Sequence, residues 1–133
     1  MGLETSINTR LNAVTAVTDL VSARIYWKQR PRGSALPCVV CWPITKSVVN
    51  HAAGVTATKH ARIQVDSLAA TASEARTLAD AVATALSGWS DSGGTPSISM
   101  CHQMTDADLS AGPDHGKDSP RDRVSQDYEL WYS

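Results

Sequence analysis

The chain has 133 residues, the length of one domain, and a chain of this size can bury about two-thirds of the surface that it exposes when unfolded. Its formal charge of −1 excludes a global field that would draw it to nucleic acid or to a membrane surface, and no apolar run approaches the ~20 residues of a membrane span. Three cysteines, an odd number, argue against a disulfide framework and favour a reducing compartment.

The first half of the chain predicts a helix followed by strands. Apolar residues at helical spacing predict one helix over residues 3–21, and residues 25–27 form a short β-prone segment before a loop with basic side chains. A strand is predicted over residues 37–45. Because Pro43 cannot donate to a strand ladder, we expect this strand to lie at an edge or to be bulged near its end. Residues 47–57 are weakly patterned, which leaves a loop and a hairpin arm as alternatives.

A strand that leads directly into a helix is the clearest local signal. Residues 61–66 alternate between apolar and polar side chains, with the period of a half-buried strand. Thr71 and Glu74 fit a capping box, and apolar residues then recur at helical spacing over residues 72–86. Gly88 is a suitable stop.

The last part of the chain predicts two strands around a loop. Residues 98–104 read as a strand with Ile98, Met100, His102 and Met104 on one side, and residues 106–122 as a long mobile loop. The closing strand, residues 124–132, alternates again. We therefore predict an α+β fold: a single domain over residues 1–133, with a mostly antiparallel sheet, an N-terminal helix and a second helix packed on it.

The cysteines and histidines give little support to catalysis or metal binding. Cys38 and Cys41 form a C-x-x-C, but positions three apart in a strand point to opposite faces, so a disulfide or a shared metal is not expected. Structural cysteines are the favoured interpretation. The four histidines show no ligand spacing, and no phosphate-binding or nucleophile motif is present.

Two groups of charged residues each have two possible roles. Arg24, Lys28, Arg30 and Arg32, with Tyr26 and Trp27 between them, could contact nucleic acid by charge and stacking, or salt-bridge an acidic neighbouring subunit. Acidic residues concentrate near the C-terminus, either in a solvated loop or in an interaction loop.

Four blocks in order resemble the tail-completion family of long-tailed bacteriophages, whose members are also described as tail terminators or head-to-tail joining proteins. The blocks are the N-terminal helix, residues 24–45 with Arg24-Ile25-Tyr26 and Leu36-Pro37-Cys38-Val39-Val40, residues 62–66 with the Ala-rich helix to Leu86, and the closing residues 127–132. The resemblance covers nearly the whole chain. It departs from the family pattern at Cys38 and Cys41, where aromatic residues are common.

This resemblance implies a structural virion protein of the tail or neck, without catalysis, cofactor, metal or membrane contact and assembled in the host cytoplasm. Its copies would form a ring, a hexamer in the family, that ends the tail tube and joins it to the head connector, with DNA passing through the lumen. On charge alone, the candidate subunit or connector interface comprises Trp27, Lys28, Arg30, Arg32 and Trp42. The candidate lumen or tube-facing loop carries Asp106, Asp108, Asp114, Asp118 and Asp122.

Two alternatives remain open. One is a neck or connector subunit of similar fold. The other, from a different class, is a small cytosolic thiol-dependent enzyme that acts through Cys38 or Cys101.

Overall fold

The architecture is one five-stranded sheet with three helices on one side. The structure, a computed structural model, describes residues 2–22, 24–29, 36–51, 54–91, 93–94, 96–110 and 122–133. Its elements are, in chain order, α1 (Leu3–Ala13), α2 (Thr15–Val21), β1 (Ile25–Trp27), β2 (Cys38–His51), β3 (Gly54–Ala69), α3 (Ala72–Leu86), β4 (Ile98–Ser110) and β5 (Asp122–Tyr132). The prediction of an α+β fold with a mostly antiparallel sheet is confirmed. None of the described helices is long and apolar enough to cross a bilayer.

The strands lie in the order β1-β2-β3-β5-β4. Only the short β1 runs parallel to its neighbour, with Trp27 opposite Cys41; the other three pairings are antiparallel. The register of β2 shifts between Pro43 and Thr45, so the bulge expected from Pro43 is confirmed. Pro43 lies beyond the last residue that pairs with β1, where its missing N–H costs no hydrogen bond.

The hydrophobic core lies between the sheet and the three helices. Strand residues of alternating position point to this side, among them Ile63, Val65 and Tyr128, and they pack against Leu78 and Val82 of α3. The predicted alternation of β5 is confirmed, because every second side chain from Val124 to Tyr132 is buried. We call this side of the sheet the helix face.

The Thr71 side of the predicted capping box is confirmed at the N-terminus of α3. The backbone N–H of Glu74 donates to the hydroxyl oxygen of Thr71 at 3.2 Å. After the last helical residue the chain turns at Gly88, whose φ of +79° is a conformation that glycine adopts without strain. Its N–H donates to the carbonyl oxygen of Cys101 at 2.7 Å and so ties this turn to β4.

The prediction of one continuous N-terminal helix is wrong. Val14 has an extended backbone and separates α1 from α2. Valine and threonine are weak helix formers because their branched side chains lose rotamer freedom. They occupy four of the five positions from 14 to 18. The break lets Leu11 and Val17 both reach the core.

The predicted facing of β4 is also wrong. Ile98 is fully buried, whereas Met100 and Met104 are 46% and 44% exposed and Cys101 is buried instead. The reason is a register shift between Ile98 and Met100, which moves the following side chains to the other side of the strand.

The hairpin of β2 and β3 extends past the rest of the sheet. Of the two alternatives for residues 47–57, the hairpin arm is confirmed, since β2 continues to His51 and β3 begins at Gly54. The last position of β3 that pairs with β5 is Lys59, opposite Tyr132. We call the described residues of the hairpin beyond that point, 49–51 and 54–58, the arm; at ~3.3 Å per residue its β3 side spans about 16 Å.

Candidate functional site

The side of the sheet opposite the helices carries most of the polar side chains of the strands. We call it the open face. From the strand register it includes Cys38, Val40, Trp42, Thr45 and Ser47 of β2, His60, Arg62, Gln64, Asp66 and Leu68 of β3, Arg123, Ser125, Asp127, Glu129 and Trp131 of β5, and Met100, His102, Thr105 and Ala107 of β4.

Charges in the middle of the open face are paired within the sheet. Arg62 binds the carboxylate of Asp127 across the β3–β5 ladder through Nη2 and, at 3.2 Å, through Nε. Asp66, which is 4% exposed, accepts from Gln64 at 3.1 Å and faces Arg123 at 3.9 Å. A carboxylate this buried is stabilised by such partners. The result is a surface whose charges are largely neutralised by their neighbours.

Two histidines share one glutamate at the end of the open face near the C-terminus. Nε2 of His60 lies 2.5 Å from one carboxylate oxygen of Glu129, and Nε2 of His102 lies 3.1 Å from the other. Both imidazole rings also contact the indole of Trp131, with ring centroids 4.9 Å and 5.4 Å away. Three adjacent strands are thereby linked side by side through polar and aromatic contacts.

An apolar cluster occupies the opposite end of the open face. Cys38, Val40 and Leu68 are buried there, under Tyr26 and Leu36. Cys41, in contrast, belongs to the core on the helix face. The prediction that the two residues of the C-x-x-C point to opposite faces is therefore confirmed.

The predicted interface residues do not form one group. Trp27 lies on the helix face, where its indole N–H donates to the side-chain oxygen of Asn8 at 2.8 Å, whereas Trp42 is 38% exposed on the open face. Lys28 is exposed and follows β1 at a left-handed backbone position, φ 68°. Arg30 and Arg32 lie outside the described residues.

The predicted acidic loop begins as a strand. β4 continues to Ser110, so Asp106 and Asp108 are strand residues, and the prediction of a loop is wrong for residues 106–110. Asp122 is the first residue of β5. Asp114 and Asp118 lie outside the described residues. Opposite Gln126 and Val124 of β5, Asp106 and Asp108 point to the helix face rather than away from the domain.

An arginine of α3 pairs with these carboxylates. Arg76 binds Asp106 at 2.9 Å, Asp108 at 2.5 Å and, one helical turn further on, Asp80 at 3.6 Å. The hydrogen bond from Arg76 holds the pKa of Asp106 below its ordinary value. We call Arg76 with its three aspartates the acidic cluster; one cation faces three anions, which leaves a surplus of two negative charges at this edge of the sheet.

The thiols are poor nucleophiles. Burial raises the pKa of Cys101 to about 12 and that of Cys41 well above its ordinary value. Both groups are therefore protonated at neutral pH, and the thiolate is the reactive form. Cys38 is also buried. Within the described part of the chain, no three His, Cys, Asp or Glu side chains converge to hold a metal ion.

An open cleft lies between α1 and the turn that follows α3. Its walls carry hydroxyls from both segments together with Arg10, Trp89 and Asp91. Nε of Arg10 donates to the carbonyl oxygen of Ala85 at 2.8 Å, so the guanidinium fastens α1 to the end of α3. This hydrogen bond of Arg10 therefore helps to fix the packing of α1 against α3.

Several of these contacts were not predicted from the sequence. The role of Arg76 and the sharing of Glu129 by His60 and His102 depend on contacts between residues far apart in the chain. The arm gave one local signal, a proline-free stretch rich in valine and threonine, which is typical of strands.

Comparison with known proteins identifies the family. The family model described as "Tail completion protein gp17" matches residues 5–132, nearly the whole chain. A solved structure titled "Virion of native gene transfer agent (GTA) particle" contains a chain of the same fold, with a TM-score of 0.71 and 18% identity over 98% of this chain and 93% of that one. No curated protein sequence matches. This chain belongs to the tail completion protein gp17 family and is a structural protein of a bacteriophage tail.

Proposed function

We propose that copies of this chain form a closed ring, a hexamer, that ends the tail tube and joins it to the head connector, with the genome passing through the lumen. The observation that carries the proposal is the family match over residues 5–132. The two-layer fold shared with a chain of a gene transfer agent particle supports it.

The surfaces of the subunit are consistent with ring assembly. A ring is built from heterologous contacts, which require two different patches on each copy. The described sheet has two distinct features: the arm at the end of the central β2–β3 hairpin, and the acidic cluster beside the edge strand β4. Trp42, the exposed indole of the open face, is a further candidate contact, because aromatic residues are enriched in buried interface centres.

The distribution of charge supports a lumen that does not retain DNA. A wall rich in unpaired lysine and arginine would bind phosphates and stall their passage. The acidic cluster, with Asp106 and Asp108, therefore remains the candidate for the lumen or the tube-facing side, together with Asp114, Asp118 and Asp122. The segment of Trp27, Lys28, Arg30 and Arg32 remains the candidate for the subunit or connector interface, with Trp42 on a separate surface.

The alternatives are less well supported. The protonated, buried Cys101 and the buried Cys38 argue against a thiol-dependent enzyme, because such an enzyme needs an accessible thiolate. A neck or connector subunit of similar fold differs from a terminator in what it binds, so binding experiments separate the two.

The test uses purified chain, tail tubes and connector. We expect electron microscopy to show one ring at one end of each tube, tubes that stop elongating, and a hexamer by native mass spectrometry. The variant Trp42→Ala should weaken assembly at least tenfold, and the exposed helix variant Asn12→Ala serves as a matched control. A chain that stays monomeric and ignores both tube and connector would refute the proposal, and one that binds only the connector would favour the neck subunit.

A further inference from the structure

We propose that the edge strand β4 of one copy pairs with β1, the opposite edge strand, of the next copy, so that the sheet continues from subunit to subunit. This inference rests on the proposed ring and deepens it, because it names the two surfaces that meet at each boundary. The strand order β1-β2-β3-β5-β4 places the two strands at opposite edges of one sheet. A contact between two different edges is heterologous, as a ring requires.

Each edge strand has one side without a strand partner among the described residues. β1 pairs with β2 alone, and β4 pairs with β5 alone from His102 onward. The segment after α3 reaches only the beginning of β4, through Gly88 on Cys101 and Asp91 on Ile98. A strand edge of this kind presents backbone N–H and C=O groups that can pair with another chain.

The directions of the strands agree with this contact. β2 and β5 both run antiparallel to β3, β1 runs parallel to β2, and β4 runs antiparallel to β5. β1 and β4 therefore point in opposite directions. Rotation about an axis along the strands preserves these directions and keeps the helix faces of neighbouring copies on the same side. β4 thus meets β1 of the next copy as an antiparallel pair, which is the commoner kind of pairing.

The two edges also match in height along the strands. One cross-strand row runs from Trp27 of β1 through Cys41, Val65 and Gln126 to Asp106 of β4. Rotation without translation about an axis along the strands leaves each residue at its height. It therefore places Asp106 of one copy beside Trp27 of the next.

The neighbouring position brings together a large and a small side chain. In an antiparallel pair with Asp106 opposite Trp27, Ala107 lies opposite Tyr26. Ala107 is exposed and lies on the open face, opposite Ser125 of β5. Tyr26 is on the open face too, where it packs half-buried on the apolar cluster. The small Ala107 leaves room beside the phenol ring, so the boundary can form without a clash at this position.

The β1–β2 edge carries a positive charge on the helix face. Nζ of Lys46 binds Glu4 of α1 at 2.6 Å, and the exposed Lys28 follows Trp27 directly. The hydrogen bond from Lys46 and, to a smaller extent, the charge of Lys28 lower the pKa of Glu4. We call Lys28 and Lys46 the basic pair. Two cations face one anion in this group, which leaves a surplus of one positive charge.

The β4 edge carries the opposite charge on the same face. The acidic cluster leaves a surplus of two negative charges there. The proposed boundary brings Lys28 of one copy close to Asp106 and Asp108 of the next. Two β4 edges related by a two-fold axis would instead bring two acidic clusters together, and their repulsion disfavours that arrangement. For Asp106 and Asp108, this boundary takes the place of the lumen wall.

Zero-length crosslinking of assembled wild-type rings is the first test. A carbodiimide joins a lysine amine to a carboxylate in contact with it. Within one copy, Lys28 and Asp106 are separated by four strand spacings, about 19 Å, so a crosslink between them joins two copies. We expect mass spectrometry of rings mixed from isotope-labelled and unlabelled chain to identify Lys28 joined to Asp106 or Asp108 of another copy.

Charge reversal is the second test. Lys28→Glu and Asp108→Lys replace exposed side chains, and thermal unfolding verifies that each variant folds. Each alone should weaken ring formation on tail tubes by roughly tenfold or more, because like charges then face each other at every boundary. Their combination in one chain should restore it. Lys59→Glu makes the same change of charge at the end of the central strand β3 and serves as the matched control.

Hydrogen exchange separates strand pairing from a contact of charges alone. We expect the amides of residues 105–108 to exchange more slowly in rings than in the monomer, and unchanged exchange would refute the pairing. Rings without a crosslink from Lys28 to the acidic cluster, or a double variant no better than the single ones, would overturn this inference while leaving the proposed function standing. A wild-type chain that forms no ring on tubes would count against the proposed function and with it this boundary.

Discussion

Removing the buried hydroxyl of Tyr128 should destabilise the fold by a measurable amount. Tyr128 is fully buried, and its hydroxyl donates to the side-chain oxygen of Gln126 at 2.8 Å. Nε2 of Gln126 in turn donates to the carbonyl oxygen of Ala79 in α3 at 3.2 Å. The pair is a polar link within the apolar core, and burial raises the pKa of Tyr128 well above its ordinary value.

The variant Tyr128→Phe leaves the oxygen of Gln126 without its donor in a site that water does not reach. An unsatisfied buried acceptor costs about 1–3 kcal/mol of unfolding free energy. For a domain of this size the Tm falls by roughly 3–15 °C. Replacing both partners by apolar groups of similar shape removes the unsatisfied atom, so Tyr128→Phe combined with Gln126→Leu should cost at least ~1 kcal/mol less than the sum of the single variants.

Urea unfolding followed by circular dichroism measures all four members of this cycle. The carbonyl of Ala79 still accepts a hydrogen bond within α3, so the double variant leaves no helical group unpaired. The reasoning is refuted if Tyr128→Phe unfolds within ~0.3 kcal/mol of the wild type, or if the two single effects simply add.

Three further predictions concern the cap, the acidic cluster and the thiol. Thr71→Ala removes the acceptor for the N–H of Glu74 and should lower the unfolding free energy by about 1 kcal/mol in urea titrations, whereas Thr71→Ser should keep it. Arg76→Gln should raise the pKa of Asp106 towards 3.8, which an NMR titration measures. Because the lowered pKa of Asp106 stabilises the folded state at pH values above 3.8, the wild type should lose this advantage as the pH falls below 3.8. The pKa of Cys101 is raised from 9.0 to about 12, so the contribution of this thiol to stability is complete below pH 9 and is lost as the pH rises towards 12. Cys101→Ala should reduce this alkaline loss of stability. An unchanged dependence of stability on pH would count against the prediction.

The elements with strong local signals were predictable from the sequence. The capping residues of α3 and the alternation of β5 depend on neighbours within a few positions, and both are confirmed. The break at Val14 was missed because the apolar stripe of residues 3–21 continues through it, so periodicity alone does not reveal the change of direction. The bulge after Ile98 was missed for a related reason, since one inserted residue reverses the facing of the strand without changing its composition.

The candidate site was only partly predictable because its contacts are non-local. Aspartates are common in loops, and the pairing of Asp106 and Asp108 with Arg76 of α3 joins residues about 30 positions apart, which local pattern does not reveal. Trp27 and Trp42 were grouped by their position in sequence, but their strands place them on opposite faces of the sheet. Side-chain facing across neighbouring strands follows from register, which a single sequence does not fix.

The continuity of β3 has a mechanical consequence. One strand runs from Gly54 in the arm to Ala69, pairs with β2 and β5 in the middle of the sheet, and leads within three residues into α3. Its ladder hydrogen bonds are perpendicular to the strand, so a pull on the arm along its axis loads many of them simultaneously rather than one after another. Tension applied at Gly54 would thus reach the centre of the domain along a single covalent path, through a strand that is paired on both sides from Lys59 onward.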